Sequence, residues 1–141
     1  MSRIYWDTML FVYYLEGHSD FGPRVRQIHQ EMSRRGDVLC TSVFTAGELL
    51  VRPQKLKAHE KIKELREYFD SDEIELVPFS LATAEVYSRI RAENSVLPAD
   101  AIHLASAAET RTDLFITNDK KIQKLHVPGI NFIAGLDGSI I

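Results

Sequence analysis

The sequence predicts an α/β protein whose mainly parallel sheet is covered by helices on both faces. Three observations lead there. Short β-prone runs alternate with stretches of helical periodicity along all 141 residues. The segments between successive runs are long enough for the crossover helices that parallel pairing requires. Finally, a chain that is 45% hydrophobic and 26% charged, without a Gly/Ser-rich or Pro-rich linker, has the composition of one globular domain spanning residues 1–141.

The elements follow in order. Arg3-Ile4-Tyr5-Trp6 is short and β-prone, and Asp7-Thr8 behind it reads as a helix N-cap. Residues 9–16 suit a helix that stops at Gly17. Between Phe21 and Arg35, the apolar residues Val25, Ile28 and Met32 recur at steps of three and four, and Gly36 closes that helix. Residues 37–41, with Val38, Leu39 and Cys40, read as a buried strand. Ser42 caps a helix running through Glu48 to Val51, and Pro53 ends it soon after. A charged amphipathic helix comes next, with Leu56, Ile62, Leu65 and Phe69 on its inner side. Residues 74–77 form a third strand, and Ser80 opens a helix carrying Val86, Tyr87 and Ile90. Pro98 begins a nearly apolar helix that contains Asp100. Residues 114–117 are a fourth strand, 119–125 a short helix and 130–133 a fifth strand.

The apolar stretch over residues 9–15 is far short of the roughly 20 needed to cross a bilayer. Neither a secretory signal nor a membrane segment is expected. The single cysteine, Cys40, excludes an intramolecular disulfide and fits a reducing cytoplasm. The formal charge of −3 argues against a broad basic field for nucleic acid. Four carboxylates gathered in one metal site would more than account for it, leaving the rest slightly basic. Any grip on phosphates is then local.

Four acidic residues stand apart by position. In parallel α/β sheets, functional side chains collect beyond the carboxyl ends of the strands. Asp7 directly follows the first strand, and Asp119 comes two residues after the fourth. Asp100 lies in the first turn of an apolar helix, and Glu48 interrupts the apolar tract from Val43 to Val51. Each has a plain alternative. Asp7 and Asp119 suit N-caps, and Asp100 suits the positive end of a helix dipole. Glu48 suits a buried ion pair, because a carboxylate among apolar residues needs a partner or a cation. The histidines lack zinc-site spacing, and His103, three residues after Asp100, reads first as a hydrogen-bonded structural residue.

These motifs in this order resemble the PIN domain family: Ile4-Tyr5-Trp6-Asp7-Thr8, Thr45-Ala46-Gly47-Glu48-Leu49, Leu97-Pro98-Ala99-Asp100-Ala101-Ile102-His103 and Leu114-Phe115-Ile116-Thr117-Asn118-Asp119. The likeness is strongest to the VapC-type ribonuclease toxins of toxin–antitoxin pairs and covers essentially the whole chain. It implies a three-layer α/β/α sandwich and a ribonuclease that hydrolyses RNA phosphodiester bonds. It also implies Mg²⁺ or Mn²⁺ held by Asp7, Asp100, Asp119 and Glu48, with Thr8, Thr117 and Asn118 supporting those carboxylates. Lys120, Lys121 and Lys124 are then candidates for phosphate contacts, and the last motif leaves open whether Asn118 or Asp119 faces the metal. A homodimer and a cognate antitoxin are the implied protein partners. Phe11, Tyr14 and Leu15 read first as core, and either partner could use some of them.

Two other readings of an Asp after the first strand fit less well. A haloacid-dehalogenase-type phosphotransferase needs a second Asp two residues on, where this chain has Met9. A receiver domain needs an acidic pair at a strand end, which is missing. A PIN domain kept as a scaffold or RNA-binding module is the non-enzyme alternative, distinguished by its failure to bind metal.

Overall fold

Ile4 and Trp6 point into one hydrophobic core while Tyr5, between them, points into another. The same alternation separates Leu39 from Cys40 and Ile116 from Phe115. Side chains of a strand alternate between the two faces, so a sheet with an apolar layer on each face shows this pattern. The computed structural model describes residues 1–137.

The described elements, in chain order, are β1 (Arg3–Trp6), α1 (Thr8–Leu15), α2 (Gly22–Arg35), β2 (Val38–Ser42), α3 (Val43–Lys55), α4 (His59–Phe69), β3 (Glu75–Val77), α5 (Leu81–Glu93), α6 (Pro98–Glu109), β4 (Thr112–Ile116), α7 (Lys120–Gln123) and β5 (Ile130–Ala134). The five strands form one sheet in the order β3-β2-β1-β4-β5. All four pairings are parallel, with Tyr5 opposite Cys40 on one side and Phe115 on the other. Helices α1 to α4 fill the first core, where Leu10, Phe11, Val25, Ile28, Leu65 and Phe69 are buried. Helices α5 to α7 fill the second through Ile90, Ala101, Leu104 and Ile122. This is the three-layer α/β/α arrangement anticipated from the motifs.

Local chemistry sets most boundaries. The Ser42 side chain accepts from the Phe44 amide at the start of α3, and Ser80 forms a capping box with Thr83 at the start of α5. Gly36 ends α2 in the left-handed region at φ 74°. Gly129 (φ 99°) precedes β5 where a Cβ would stand 2.6 Å from the Ala108 carbonyl oxygen, so only glycine lets the strand enter beside α6.

Two expectations need correction. Helix α3 runs one turn past Val51, to Lys55, with Pro53 inside it. In the last turn proline removes a single helical hydrogen bond, and Pro53 is buried, so its ring repays that loss through packing. Leu56 lies in the connection after α3 and is 66% exposed, whereas Leu65 and Phe69 are buried as expected.

Candidate active site

The acids at the two ends of the sheet are treated differently. At the amino-terminal rim they are paired. Glu75 accepts both arms of the Arg3 guanidinium at 2.9 and 3.0 Å, Asp113 accepts the Arg3 amide at 2.8 Å, and Asp37 accepts the Ser2 amide at 2.8 Å. At the carboxyl-terminal rim lie Asp7 after β1, Glu48 in the α3 that follows β2, Asp119 after β4, and Asp100 in the first turn of α6. Among the described residues, no lysine or arginine forms an ion pair with any of these four.

Asp7 is the most enclosed. It caps α1, with Oδ1 accepting the Leu10 amide at 3.3 Å, and Oδ2 accepts the Thr117 hydroxyl at 2.6 Å. Burial raises its pKa above the ordinary carboxylate value; these hydrogen bonds and nearby His103 oppose that shift, and Asp100 adds to it. Asp100 is also raised, first by burial, then by Asp119 and Glu48. Glu48 goes the other way. Burial works to raise it, but hydrogen bonds from His103 and Thr8 outweigh burial and hold the carboxyl below its usual value. The four acids therefore share one electrostatic neighbourhood.

Asp100 and Asp119 line a common depression of about 350 Å³ with Lys121. Asp119 caps α7 by accepting the Lys121 amide at 2.9 Å, and its own amide donates to the Thr117 oxygen at 3.1 Å. Asn118 instead directs its side-chain amide to the Tyr13 hydroxyl at 3.4 Å, leaving Asp119 as the member of that pair facing the other acids. Lys120, Lys121 and Lys124 are exposed beside this depression, on or just after α7. The N-cap readings of Asp7 and Asp119 thus hold, and capping leaves both at the rim.

Histidine contributes more than its spacing suggested. His103 is buried and hydrogen-bonded, as read, but its partner is the site itself: Nε2 lies 3.1 Å from Glu48 Oε1 and 3.1 Å from the Thr8 hydroxyl. Nδ1 lies 2.7 Å from the Tyr5 hydroxyl. The signal available in sequence was the three-residue step from Asp100, which puts both side chains on one side of α6.

The donors suit a hard divalent cation, being carboxylate oxygens with no thiolate among them. Among the described residues, no group of three or more His, Cys, Asp or Glu side chains stands ready to hold a metal ion. Burial is the first cause of the raised Asp7 and Asp100, and the like charges of the neighbouring acids add to it.

The PIN domain family model matches residues 4–127. This chain belongs to the PIN domain family. Among solved structures, this PIN domain is similar to a chain of VapBC2 from Rickettsia felis bound to a promoter DNA fragment (17% identity, 94% of this chain and 98% of that one, TM-score 0.73). It is also similar to a chain of DNA-bound VapBC from Salmonella typhimurium (23% identity, 97% and 100%, TM-score 0.71) and of a toxin–antitoxin complex from Klebsiella pneumoniae (21%, 90% and 94%, TM-score 0.67). At these identities the likeness establishes a shared fold. No curated protein matches the sequence significantly. No helix among the described residues is long and apolar enough to cross a membrane.

Proposed function

We propose that this PIN domain is a divalent-metal-dependent endoribonuclease and the toxin of a VapBC-type pair. The observation that supports it most is the gathering of Asp7, Glu48, Asp100 and Asp119 at one rim with no lysine or arginine ion pair among the described residues, while the acids of the opposite rim are paired. Asp7 and Asp100 would hold Mg²⁺ or Mn²⁺ centrally, with Asp119 completing the donor set and Glu48 approaching from α3. When bound, such an ion lowers the pKa of water and polarises a phosphate.

The chain's own residues do the rest. Thr117 fixes the Asp7 carboxylate and, through its oxygen, the start of α7. Glu48, kept ionised by Thr8 and His103, orients the attacking water. Lys121, with Lys120 and Lys124 nearby, receives the phosphates of the RNA strand. Water adds to phosphorus as the bond to the leaving ribose oxygen breaks.

The antitoxin belongs to the same reading. A cavity of about 150 Å³ between α1, α3 and α4 is lined by Phe11, Leu15, Leu49 and Leu65, with Glu16, Arg52 and Lys61 at its margin. Such a groove takes apolar side chains from one face of a partner helix. The structural neighbours are themselves components of toxin–antitoxin complexes. Pairing of two copies is part of the proposal and is read by sedimentation.

Incubating the purified protein with total RNA tests the proposal, with and without Mg²⁺ or Mn²⁺. Metal-dependent cleavage, lost in Asp7→Asn and Asp100→Asn variants that remain folded, is the expected result. Full cleavage by either variant would falsify the mechanism. A chain that neither binds Mn²⁺ nor cuts RNA is a scaffold.

A further inference from the structure

The geometry points to Tyr5 and His103 as positioning residues for Glu48, a relay beneath the site that fixes one carboxylate oxygen and leaves the other free. This rests on the nuclease reading above and assigns a part of its machinery.

Proton counting favours one arrangement of the relay. The Tyr5 hydroxyl accepts the Ser42 amide at 3.1 Å and lies 2.7 Å from His103 Nδ1, with the Thr41 hydroxyl, itself donating to the Trp6 carbonyl oxygen, also close by. A phenol has a single proton, and the backbone amide can only donate. With the Thr41 hydroxyl committed to the Trp6 carbonyl oxygen, Nδ1 is the acceptor within hydrogen-bond distance of the Tyr5 proton, and the relay assigns that proton to it. A neutral imidazole that accepts at Nδ1 carries its proton on Nε2. That proton faces Glu48 Oε1 at 3.1 Å and the Thr8 oxygen at 3.1 Å. The Thr8 hydroxyl in turn donates to the same Glu48 oxygen. Every donor has an acceptor, and Glu48 Oε1 receives two.

The rings are held as well. Tyr5 is fully buried and stacks on Phe115, with centroids 5.0 Å apart and planes within 6°. Phe44 packs edge-on against His103 at 5.6 Å. The relay joins β1, α6, α1 and α3, so the orientation of a long, flexible glutamate is set by four elements. His103 is 5% exposed and lies below the rim, out of reach of a substrate. It acts through Glu48.

Nitrogen-15 NMR of histidine-labelled, metal-free protein reads the tautomer directly. His103 is expected protonated at Nε2 and not at Nδ1, with that preference lost in Tyr5→Phe. In activity, His103→Leu should lower kcat and weaken Mn²⁺ binding by about 10–100-fold with little change in KM. His103→Gln, whose amide can still donate to Glu48, should recover most of both. If His103→Leu does not fold, Tyr5→Phe, which loses one hydroxyl, should still weaken Mn²⁺ binding.

A proton on Nδ1, or wild-type kcat and Mn²⁺ affinity in a folded His103→Leu, overturns the assignment while leaving the nuclease intact. A wild-type protein that neither binds Mn²⁺ nor cuts RNA overturns the nuclease reading and the purpose given to the relay, even if the tautomer is as stated.

Discussion

Thr117 donates its hydroxyl to Asp7 across the sheet at 2.6 Å, although 110 residues separate them in the chain. The same Thr117 oxygen accepts the Asp119 amide, so one buried threonine sets both the rotamer of the first acid and the start of the segment bearing the last. Thr117→Val keeps the shape and removes both bonds. We expect it to cost about 1–3 kcal/mol in urea unfolding, because a buried carboxylate and an amide lose their partner. Cleavage should fall by about 10–100-fold. Wild-type cleavage in this variant would show that Thr117 supports only the fold.

Asp7→Asn should abolish metal-dependent cleavage and yet stabilise the metal-free protein at neutral pH. Asparagine caps a helix as well as aspartate does, and it removes an anion whose burial is unfavourable. The melting temperature without metal is expected to rise relative to wild type, whereas added Mn²⁺ should raise the melting temperature of wild type alone.

The same shift fixes a pH dependence. The folded-state pKa values of Asp7 and Asp100 lie above their unfolded ones. The folded chain then binds these protons more tightly, so their contribution to metal-free stability falls as pH rises from about 3.9 through the raised values. The advantage of Asp7→Asn should accordingly shrink on acidification. Glu48 has the opposite sign. Its lowered pKa gives stability present above about 4.3 and lost as pH falls through the folded value. Calorimetric Mn²⁺ titrations should weaken on acidification from pH values above the ordinary carboxylate range, since protons compete for Asp7 and Asp100.

Leu56 tests the groove. It is 66% exposed and lines the α1–α3–α4 cavity, so Leu56→Glu should change stability by less than about 0.5 kcal/mol. RNA cleavage should be unchanged, while inhibition by the product of an adjacent antitoxin reading frame should be lost. Retained inhibition would place the antitoxin elsewhere.

Gly129 supplies a purely structural prediction. Gly129→Ala puts a methyl group against the Ala108 backbone at positive φ, where neither can yield. A loss of at least about 1–3 kcal/mol is expected, read in chemical denaturation.

Much of this was legible in the chain because it is local. The β-prone run from Arg3 to Trp6, the steps from Val25 to Met32, and Gly36 each report their own surroundings. The rim position of Asp7 and Asp119 followed from the strand-end rule. The Tyr5–His103–Glu48 relay was not legible, since it joins residues 98 and 55 apart whose meeting depends on the strand order and the seat of α6. Leu56 misled for a related reason. Its spacing matches the inner face of the next helix, but the chain turns before α4 begins, and hydrophobicity alone does not reveal that a leucine borders a groove.

The strand order has a consequence for synthesis. β1 is made first yet lies at the sheet's centre, bonded to β2 early and to β4 only near the end of the chain. The amino-terminal half can thus assemble its own apolar layer while Asp7 still lacks Asp100, Thr117 and Asp119. The four acids of the proposed site can therefore share one rim only after β4 has been made and has paired with β1.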